Sequence, residues 1–225
     1  MKIAVVTGAS RGIGHFLSEK LSKENYKVVN ISRKSSNAFI DYSFDLTNTQ
    51  DIGKLVKQII KEVGVPDLLI NNAGVASMNH TFLMKDSDVE KIVDINLISP
   101  ILLSKEFGKF MIKKGGKILN ISTVAVPLLL DGEAVYAATK SGIEVFTKIL
   151  AKELSRSKVD VSCIGLTPID TDLIKNVPKE KIEKIIESQP TPKKYQLEDV
   201  WELTYKFLYS KDKKMNGKVF YLGGF

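Results

Sequence analysis

Short apolar runs alternate with longer amphipathic stretches along the chain. Seven of these runs are typical of buried parallel strands, at residues 2–6, 27–32, 38–44, 67–70, 117–121, 159–165 and 218–222. Between them, apolar residues recur at helical spacing, as they do at Ile52, Leu55, Val56, Ile59 and Ile60. Strands that alternate with helices in this way predict a parallel sheet with helices packed on it.

The pattern predicts an α/β fold, a Rossmann-type doubly wound, seven-stranded parallel sheet flanked by helices, in a single domain over residues 1–225. Ligands of such sheets bind beyond the carboxyl ends of the strands. Residues 172–196 are rich in Lys and Pro and have weak apolar periodicity, which indicates a substrate lid within this domain.

A proline interrupts the helical pattern of residues 87–113. Pro100 cannot donate the hydrogen bond that the Asn96 carbonyl would accept, and its ring crowds that carbonyl. We expect a kink there, which leaves the Asn96 carbonyl free to hold a water molecule.

The composition is that of a soluble globular protein, with 44% hydrophobic and 26% charged residues in a chain of 225. The apolar runs are too short to span a bilayer, and no basic leader precedes the first strand, so we expect a cytoplasmic protein without a membrane partner. The single cysteine, Cys163, cannot form an internal disulfide and is predicted to be a buried thiol.

The net charge of +7 raises the question of a nucleic-acid partner. The lysines are scattered over the polar faces of predicted helices, without interleaved aromatic residues. We interpret most of them as solvated surface and predict that the protein binds no nucleic acid.

The first predicted strand runs into a glycine-rich turn, TGASRGIG, and then into an amphipathic helix. Glycines at positions 8, 12 and 14 would let the backbone approach an anion, and the helix N-terminus would offer free N–H groups. This order favours a phosphate cradle over an empty turn, and it is not a P-loop because no Gly-Lys-Ser/Thr follows.

The ends of the next strands carry further candidate cofactor contacts. Arg33 follows the second strand, where an acid would bind a ribose 2′-hydroxyl and a base accommodates a 2′-phosphate. Arg33 and Arg11 therefore predict NADP(H) over NAD(H), with plain surface charge as the alternative. Asp45-Leu46 is expected near the adenine, and the small and amide residues of Asn72-Ala73-Gly74 suit close packing against a planar ligand.

Tyr136 and Lys140 stand four residues apart in a predicted helix, so the phenol and the ammonium share one face. A neighbouring cation lowers a tyrosine pKa, which would let the pair exchange a proton with an alcohol or a ketone. Alone, this spacing is more often an ordinary pair on a helix surface. The motifs upstream favour an active site.

Together these motifs resemble the short-chain dehydrogenase/reductase family over essentially the whole chain, and most of all its members of the 3-oxoacyl-carrier-protein reductase type. The matching segments are TGASRGIG at 7–14, Asp45-Leu46-Thr47, NNAG at 71–74, Asn96, Ser122 and YAATK at 136–140. In one departure, Leu166-Thr167 stand where the family usually has Pro-Gly, which we interpret as a neutral loop variation.

The resemblance implies a role for each matched residue. Tyr136 would be the general acid, Ser122 would hydrogen-bond the same substrate oxygen, and Lys140 would bind the nicotinamide ribose and depress the tyrosine pKa. Asn96 would hold a water that links Lys140 to solvent. Cofactor contacts are expected from Gly8, Ser10, Arg11, Gly12, Ile13, Gly14, Arg33, Asp45, Leu46, Asn72, Ala73, Gly74, Tyr136, Lys140 and Thr171.

We therefore predict an NADPH-dependent reductase of ketones or aldehydes, with acyl thioesters among its candidate substrates, that uses no metal and forms a homodimer or homotetramer. The alternative is a non-catalytic NADP(H)-binding regulator, which the complete set of Asn96, Ser122, Tyr136 and Lys140 disfavours. If the partner is an acyl carrier protein, four lysines could dock its acidic helix. The same lysines would equally fit a small phosphorylated or carboxylated substrate, or no ligand at all, and the three interpretations stay open: Lys179, Lys181, Lys193 and Lys194.

Overall fold

One parallel sheet of seven strands organises the protein. The computed structural model describes residues 1–172, 174–175, 177–210 and 213–225. The strands lie in the order β3-β2-β1-β4-β5-β6-β7. This confirms the predicted fold class. The strand bounds are β1 Lys2–Thr7, β2 Tyr26–Ser32, β3 Ile40–Ser43, β4 Leu68–Asn71, β5 Gly116–Thr123, β6 Val159–Leu166 and β7 Val219–Tyr221.

Helices cover both faces of the sheet. Within the described residues they are α1 Gly12–Lys23, α2 Ile52–Glu62, α3 Asp86–Val93, α4 Ser99–Lys114, α5 Ala125–Leu128, α6 Ala134–Glu153, α7 Lys179–Glu187 and α8 Leu197–Tyr209. Residues of α1 and α8 share one buried cluster with the sheet, whereas residues of α2, α4 and α6 share the other. The strands supply both clusters because their side chains alternate between faces, as Val5 and Val6 do.

The order of the strands fixes where a ligand can bind. Strand β1 pairs with β2 on one side and with β4 on the other, so the chain reverses its direction of travel across the sheet at β1. The connections after β1 and β4 therefore diverge, and a crevice opens beyond the carboxyl ends of these two strands.

A π-helical turn at Asp94–Ile98 separates α3 from α4. It lies at the interruption predicted from Pro100, which occupies the first turn of α4. The turn directs the fully buried Asn96 side chain towards the segment after β4, where its Oδ1 accepts from Val75 N at 2.9 Å and its Nδ2 donates to Val75 O at 2.7 Å. Turns of this kind are frequent at functional sites.

Two simpler expectations concern the thiol and the membrane. Cys163 is free and buried, as predicted. In the described ranges, no helix has both the length and the apolar character needed to cross a bilayer.

Candidate active site

A single cleft of about 820 Å³ runs along the carboxyl ends of the strands. Fifteen of the predicted site residues line it: Gly8, Ser10, Arg11, Gly12, Ile13, Arg33, Asp45, Leu46, Asn72, Ala73, Gly74, Ser122, Tyr136, Lys140 and Thr171. Gly14 and Asn96 are not among the lining residues. Both contact residues that do line it. Gly14 packs against Gly8 and Asn72, and Asn96 is hydrogen-bonded to Val75.

The glycine turn is shaped for a close approach between the first strand and the first helix. Gly8 and Gly12 have φ angles of +71° and +58°, in the left-handed region that favours glycine. A Cβ at Gly14 would collide with the Gly8 carbonyl and with the Asn72 side chain. No side chain caps the N-terminus of α1, so its N–H groups are available to an anion, and the residues present fit a dinucleotide pyrophosphate.

Hydrogen bonds brace the two strands that flank the crevice. Thr7 Oγ1 accepts from the backbone N–H groups of Asn72 and Ala73, at 3.0 and 2.9 Å. The Asn72 amide donates back to the Thr7 carbonyl at 2.9 Å. The end of β4 is thereby held against the glycine turn, and this keeps the floor of the cleft in place.

Beside the end of the cleft that Arg33 lines, the carboxylate of Asp41 on the neighbouring strand β3 is already engaged. Asp41 accepts hydrogen bonds from the side chains of Asn30 and Ser35 and from both groups of Ser36. These bonds outweigh its partial burial and hold the Asp41 pKa well below its usual range. The carboxylate therefore orders the loop after β2 and leaves the exposed Arg33 to face the cleft.

Arg11 and Asp45 also line this end. Arg11 forms an ion pair with Asp172 at 3.4 Å, and because both side chains are well exposed the pair contributes little stability. Asp45 accepts from the backbone and hydroxyl of Thr47, and these bonds, with the charge of Arg33, lower the Asp45 pKa.

Tyr136 stands on the first turn of α6 and is partly buried in the cleft. Burial raises the pKa of its phenol, the charge of Glu133 raises it further, and a hydrogen bond with the Thr123 side chain opposes both effects. Lys140 Nζ lies 6.0 Å from the Tyr136 ring centre and donates instead to the Ile121 carbonyl at 2.8 Å. Lys140 is therefore not among the groups that shift the Tyr136 pKa here, and the lowering expected from Lys140 together with the charge of an oxidised cofactor stays a prediction.

Lys140 is buried, with 4% of its surface exposed. Burial lowers the pKa of its ammonium to about 8. A Cβ at Gly74 would lie close to both Lys140 Nζ and Asn96 Oδ1, so Gly74 is packed against the lysine and against the π-helical turn. This brings together three of the four residues expected to act in catalysis: Asn96, Tyr136 and Lys140.

The fourth, Ser122, does not present its hydroxyl to Tyr136. Ser122 is 2% exposed, and its Oγ donates to Glu144 at 2.5 Å. The same carboxylate oxygen accepts from the Tyr221 hydroxyl at 2.6 Å. The contact with the substrate oxygen expected of Ser122 therefore has no support in this geometry, because the hydroxyl is committed to Glu144 of α6.

Thr123 is the hydroxyl that sequence reasoning missed. It is the last residue of β5, so its side chain lies on the opposite face to that of Ser122, is partly exposed to the cleft, and meets Tyr136. The alternation of side chains along a strand was the available signal, since a shift of one residue exchanges the two faces.

At the far end of the cleft, Leu166-Thr167 occupy the family's usual Pro-Gly position without strain. In the described chain, the non-glycine residues with positive φ are Asn25, Asn37 and Leu129, so Thr167 adopts ordinary backbone angles. Its hydroxyl accepts from the Gln189 amide at 2.6 Å, which ties the segment after α7 to β6. Thr171 follows in the cleft wall, as expected.

The predicted lid contains α7, whose Ile185 lines the cleft. Leu173 and Asn176, which belong to the same predicted lid, lie outside the described residues. Opposite this helix, Glu133 is a second residue that sequence reasoning missed. It is 3% exposed, and burial raises the pKa of its carboxyl to about 7, against the opposing charge of Lys181.

The family follows from a direct comparison. A family model described as short chain dehydrogenase matches residues 2–182. The chain belongs to the short-chain dehydrogenase family. A curated member, the 3-oxoacyl-[acyl-carrier-protein] reductase FabG of Vibrio cholerae, is 36% identical over 191 residues, which is 80% of this chain and 78% of the relative. The enzyme of the same name from Escherichia coli is 34% identical over 84% of this chain and 82% of its own.

Solved structures agree with this short-chain dehydrogenase fold. A 4-hydroxyisoleucine dehydrogenase complexed with NADH superposes with a TM-score of 0.88 at 26% identity, over 100% of this chain and 98% of that one. A ligand-free aldohexose dehydrogenase from Thermoplasma acidophilum also reaches 0.88, at 25% identity over 99% and 93% of the two chains. The chain is an oxidoreductase of this family, and the 4-hydroxyisoleucine dehydrogenase holds NADH in the same fold.

The buried Lys140 leads to a prediction about stability. Its pKa of about 8 in the folded protein is below the ordinary value of 10.5, so the unfolded chain holds the proton more tightly. Folding therefore carries a cost below about pH 8 that fades as the pH rises towards 10.5. We expect Lys140→Met to raise the free energy of unfolding at neutral pH by about 1–3 kcal/mol, after allowing for the lost bond to Ile121.

Denaturant titrations of the cofactor-free protein at several pH values measure this effect. Lys148→Met, on the exposed side of the same helix, is the matched control and should change little. A Lys140→Met protein that is less stable than wild type at neutral pH would contradict the prediction.

Proposed function

We propose that this short-chain dehydrogenase is an NADPH-dependent carbonyl reductase that converts a ketone or an aldehyde into an alcohol. One observation carries the proposal: the Tyr136 phenol, the Thr123 side chain and the Lys140 ammonium share one cleft with the glycine cradle. The names of the curated relatives, 3-oxoacyl-[acyl-carrier-protein] reductases, support reduction and put acyl thioesters among the candidate substrates.

The chemistry of the cleft suits reduction. Bound NADPH would supply hydride to the carbonyl carbon. The raised pKa keeps Tyr136 protonated, so its hydroxyl can donate a proton to the carbonyl oxygen as negative charge develops there. The Thr123 hydroxyl, next to that phenol, would donate a second hydrogen bond to the same oxygen, the role first expected of Ser122.

Lys140 and Asn96 would support this proton transfer indirectly. The buried ammonium would add positive charge to the cleft and, from its position beside Gly74, would bind the hydroxyls of a cofactor ribose. The Asn96 side chain is hydrogen-bonded to the backbone of Val75. The expected water would therefore bind the backbone carbonyl of Asn96, which belongs to the π-helical turn.

The preference for NADPH rests on Arg33. Its guanidinium is exposed at the end of β2, while the neighbouring Asp41 is occupied by the loop and cannot readily accept from a ribose 2′-hydroxyl. The 4-hydroxyisoleucine dehydrogenase is complexed with NADH, so membership of the family does not decide between the two cofactors. Arg11, paired with Asp172, would have to exchange partners to assist a phosphate.

We also infer a homodimer or homotetramer formed through the outer sides of α4 and α6. Val145 and Ile149 of α6 are 53% and 50% exposed and lie one turn apart, and Ile112 of α4 is 47% exposed. Exposed apolar residues grouped in this way favour contact with a second copy. A carrier-protein partner has weaker support, because Lys193 is already paired with Asp199 at 3.0 Å.

Tyr136→Phe tests the acid. Removal of the phenolic proton donor should lower kcat for a reducible ketone by about 100-fold or more, while fluorescence titration shows NADPH binding close to that of wild type. A variant that retains near-normal turnover would refute the assignment of Tyr136.

The pair Thr123→Val and Ser122→Ala tests which hydroxyl faces the substrate. Thr123→Val keeps the shape of the side chain and should lower kcat/KM by about 100-fold, because one donor to the developing oxyanion is lost. Ser122→Ala should affect stability more than kcat/KM, since it removes a partner of Glu144. The reverse pattern would restore the role first expected of Ser122.

Arg33→Asp tests the cofactor preference. The ratio of kcat/KM with NADPH to that with NADH should fall by about 100-fold, because the new carboxylate repels the 2′-phosphate and accepts from a 2′-hydroxyl. Arg156→Asp makes the same change of charge at an exposed position outside the cleft. An equal change of the ratio in both variants would show that net charge, and not Arg33, sets the preference.

A further inference from the structure

The carboxylate of Glu133 is used by none of the steps above. Glu133 immediately precedes α6 as its N-cap residue, yet its side chain makes no capping hydrogen bond. The residue is 3% exposed, and within the described chain its Oε2 is buried and accepts no hydrogen bond. The same side chain lines the cleft that holds Tyr136.

An arrangement of this kind costs stability. A buried carboxylate oxygen without a hydrogen-bond donor loses its hydration, and the charge of Lys181 offsets only part of that cost. A carboxylate at this end of α6 would gain most by capping the helix, which Glu133 does not do. The group is therefore poised for a donor that enters the cleft from outside the chain.

The surroundings of Glu133 define that donor. Tyr136 is three residues further along the chain, which places the two side chains roughly 5–6 Å apart at their Cβ atoms. Leu130 and Ile185 supply apolar walls to the same cleft. Two cations act on the region, Lys181 from α7, whose charge reaches Glu133, and Lys140 from within α6. A substrate ammonium would meet both of these charges, so a neutral donor fits better.

We propose that Glu133 accepts a hydrogen bond from a substrate hydroxyl on the carbon α or β to the carbonyl that is reduced. The substrate class is then a hydroxyketone or hydroxyaldehyde. The proposal rests on the function proposed above and narrows it. A plain 3-oxoacyl thioester presents a second carbonyl oxygen at that distance, which accepts only from the protonated carboxyl of Glu133. A substrate hydroxyl can also donate to the ionised carboxylate, so it serves both forms of the group.

The test compares two ketones of the same size that differ in one group, 1-hydroxy-2-butanone and 3-pentanone. The wild-type enzyme with NADPH should give the hydroxyketone a kcat/KM about 10- to 100-fold higher, as expected for a hydrogen bond to a charged group. In Glu133→Leu this ratio should fall to near one. In Glu133→Gln, which keeps a neutral acceptor, it should fall to an intermediate value.

The ratio of two substrates measured on one sample is insensitive to partial unfolding. If Glu133→Leu does not fold, the drop in Glu133→Gln decides the matter. Glu153→Gln, at the exposed far end of α6, is the matched control and should keep the wild-type ratio. An acetoacetyl thioester forms a third arm and should be reduced less efficiently than the hydroxyketone.

Equal kcat/KM values for the two ketones in the wild type would overturn the proposal. So would a ratio that survives in both Glu133 variants, or a preference for the thioester. Failure of the underlying function looks different: no carbonyl compound would be reduced by the wild type, or Tyr136→Phe would keep its activity. The two failures are therefore distinguishable.

Discussion

Three buried hydrogen bonds fasten α6 to β5, and they help to position the side chains to which we assign the chemistry. Asn120 donates to Thr147, Lys140 donates to the Ile121 carbonyl, and Ser122 donates to Glu144. Three consecutive strand residues thus meet successive turns of one helix. Because Tyr136 lies at the start of this helix and Thr123 at the end of this strand, the same contacts set the distance between the phenol and the hydroxyl. Sites held by packed elements in this way are more precise than sites on loops.

The cleft brings together buried ionisable groups, each of which would be more stable if it were exposed to water. Lys140 is buried with a lowered pKa, Glu133 with a raised one, and the Tyr136 phenol is kept protonated between them. Each group carries a desolvation cost that the two large clusters on the faces of the sheet must offset. Perturbed groups that share one cleft are typical of sites that move protons. The free energy of folding lost by burying these groups is the cost of holding them in the cleft before a ligand binds.

Much of this arrangement could be predicted from sequence. The strands follow from apolar runs, and the cradle follows from glycines placed between a strand and a helix. It was harder to predict which hydroxyl faces Tyr136. Ser122 and Thr123 are chemically alike, and only the alternation of side chains along β5 distinguishes them. Glu133 gave no signal, since a glutamate before a helix is usually on the surface. The charge that acts on it, Lys181, belongs to α7, which lies some fifty residues later in the chain. The break near Pro100 was visible, but its π-helical form depends on contacts between Asn96 and Val75 that no local pattern encodes.

The hydrogen bond between Gln189 and Thr167 anchors α7 at its C-terminal end. Gln189 is buried just past the C-terminal end of this helix, and Thr191 donates from its backbone to the Gly223 carbonyl beside it. A helix anchored at one end turns about that anchor, so displacement grows along its length. Lys181 is further from the pivot than Ile185 and would sweep the wider arc. A displacement of α7 about this anchor would therefore move the charge that acts on Glu133 further than it moves Ile185 in the wall of the cleft.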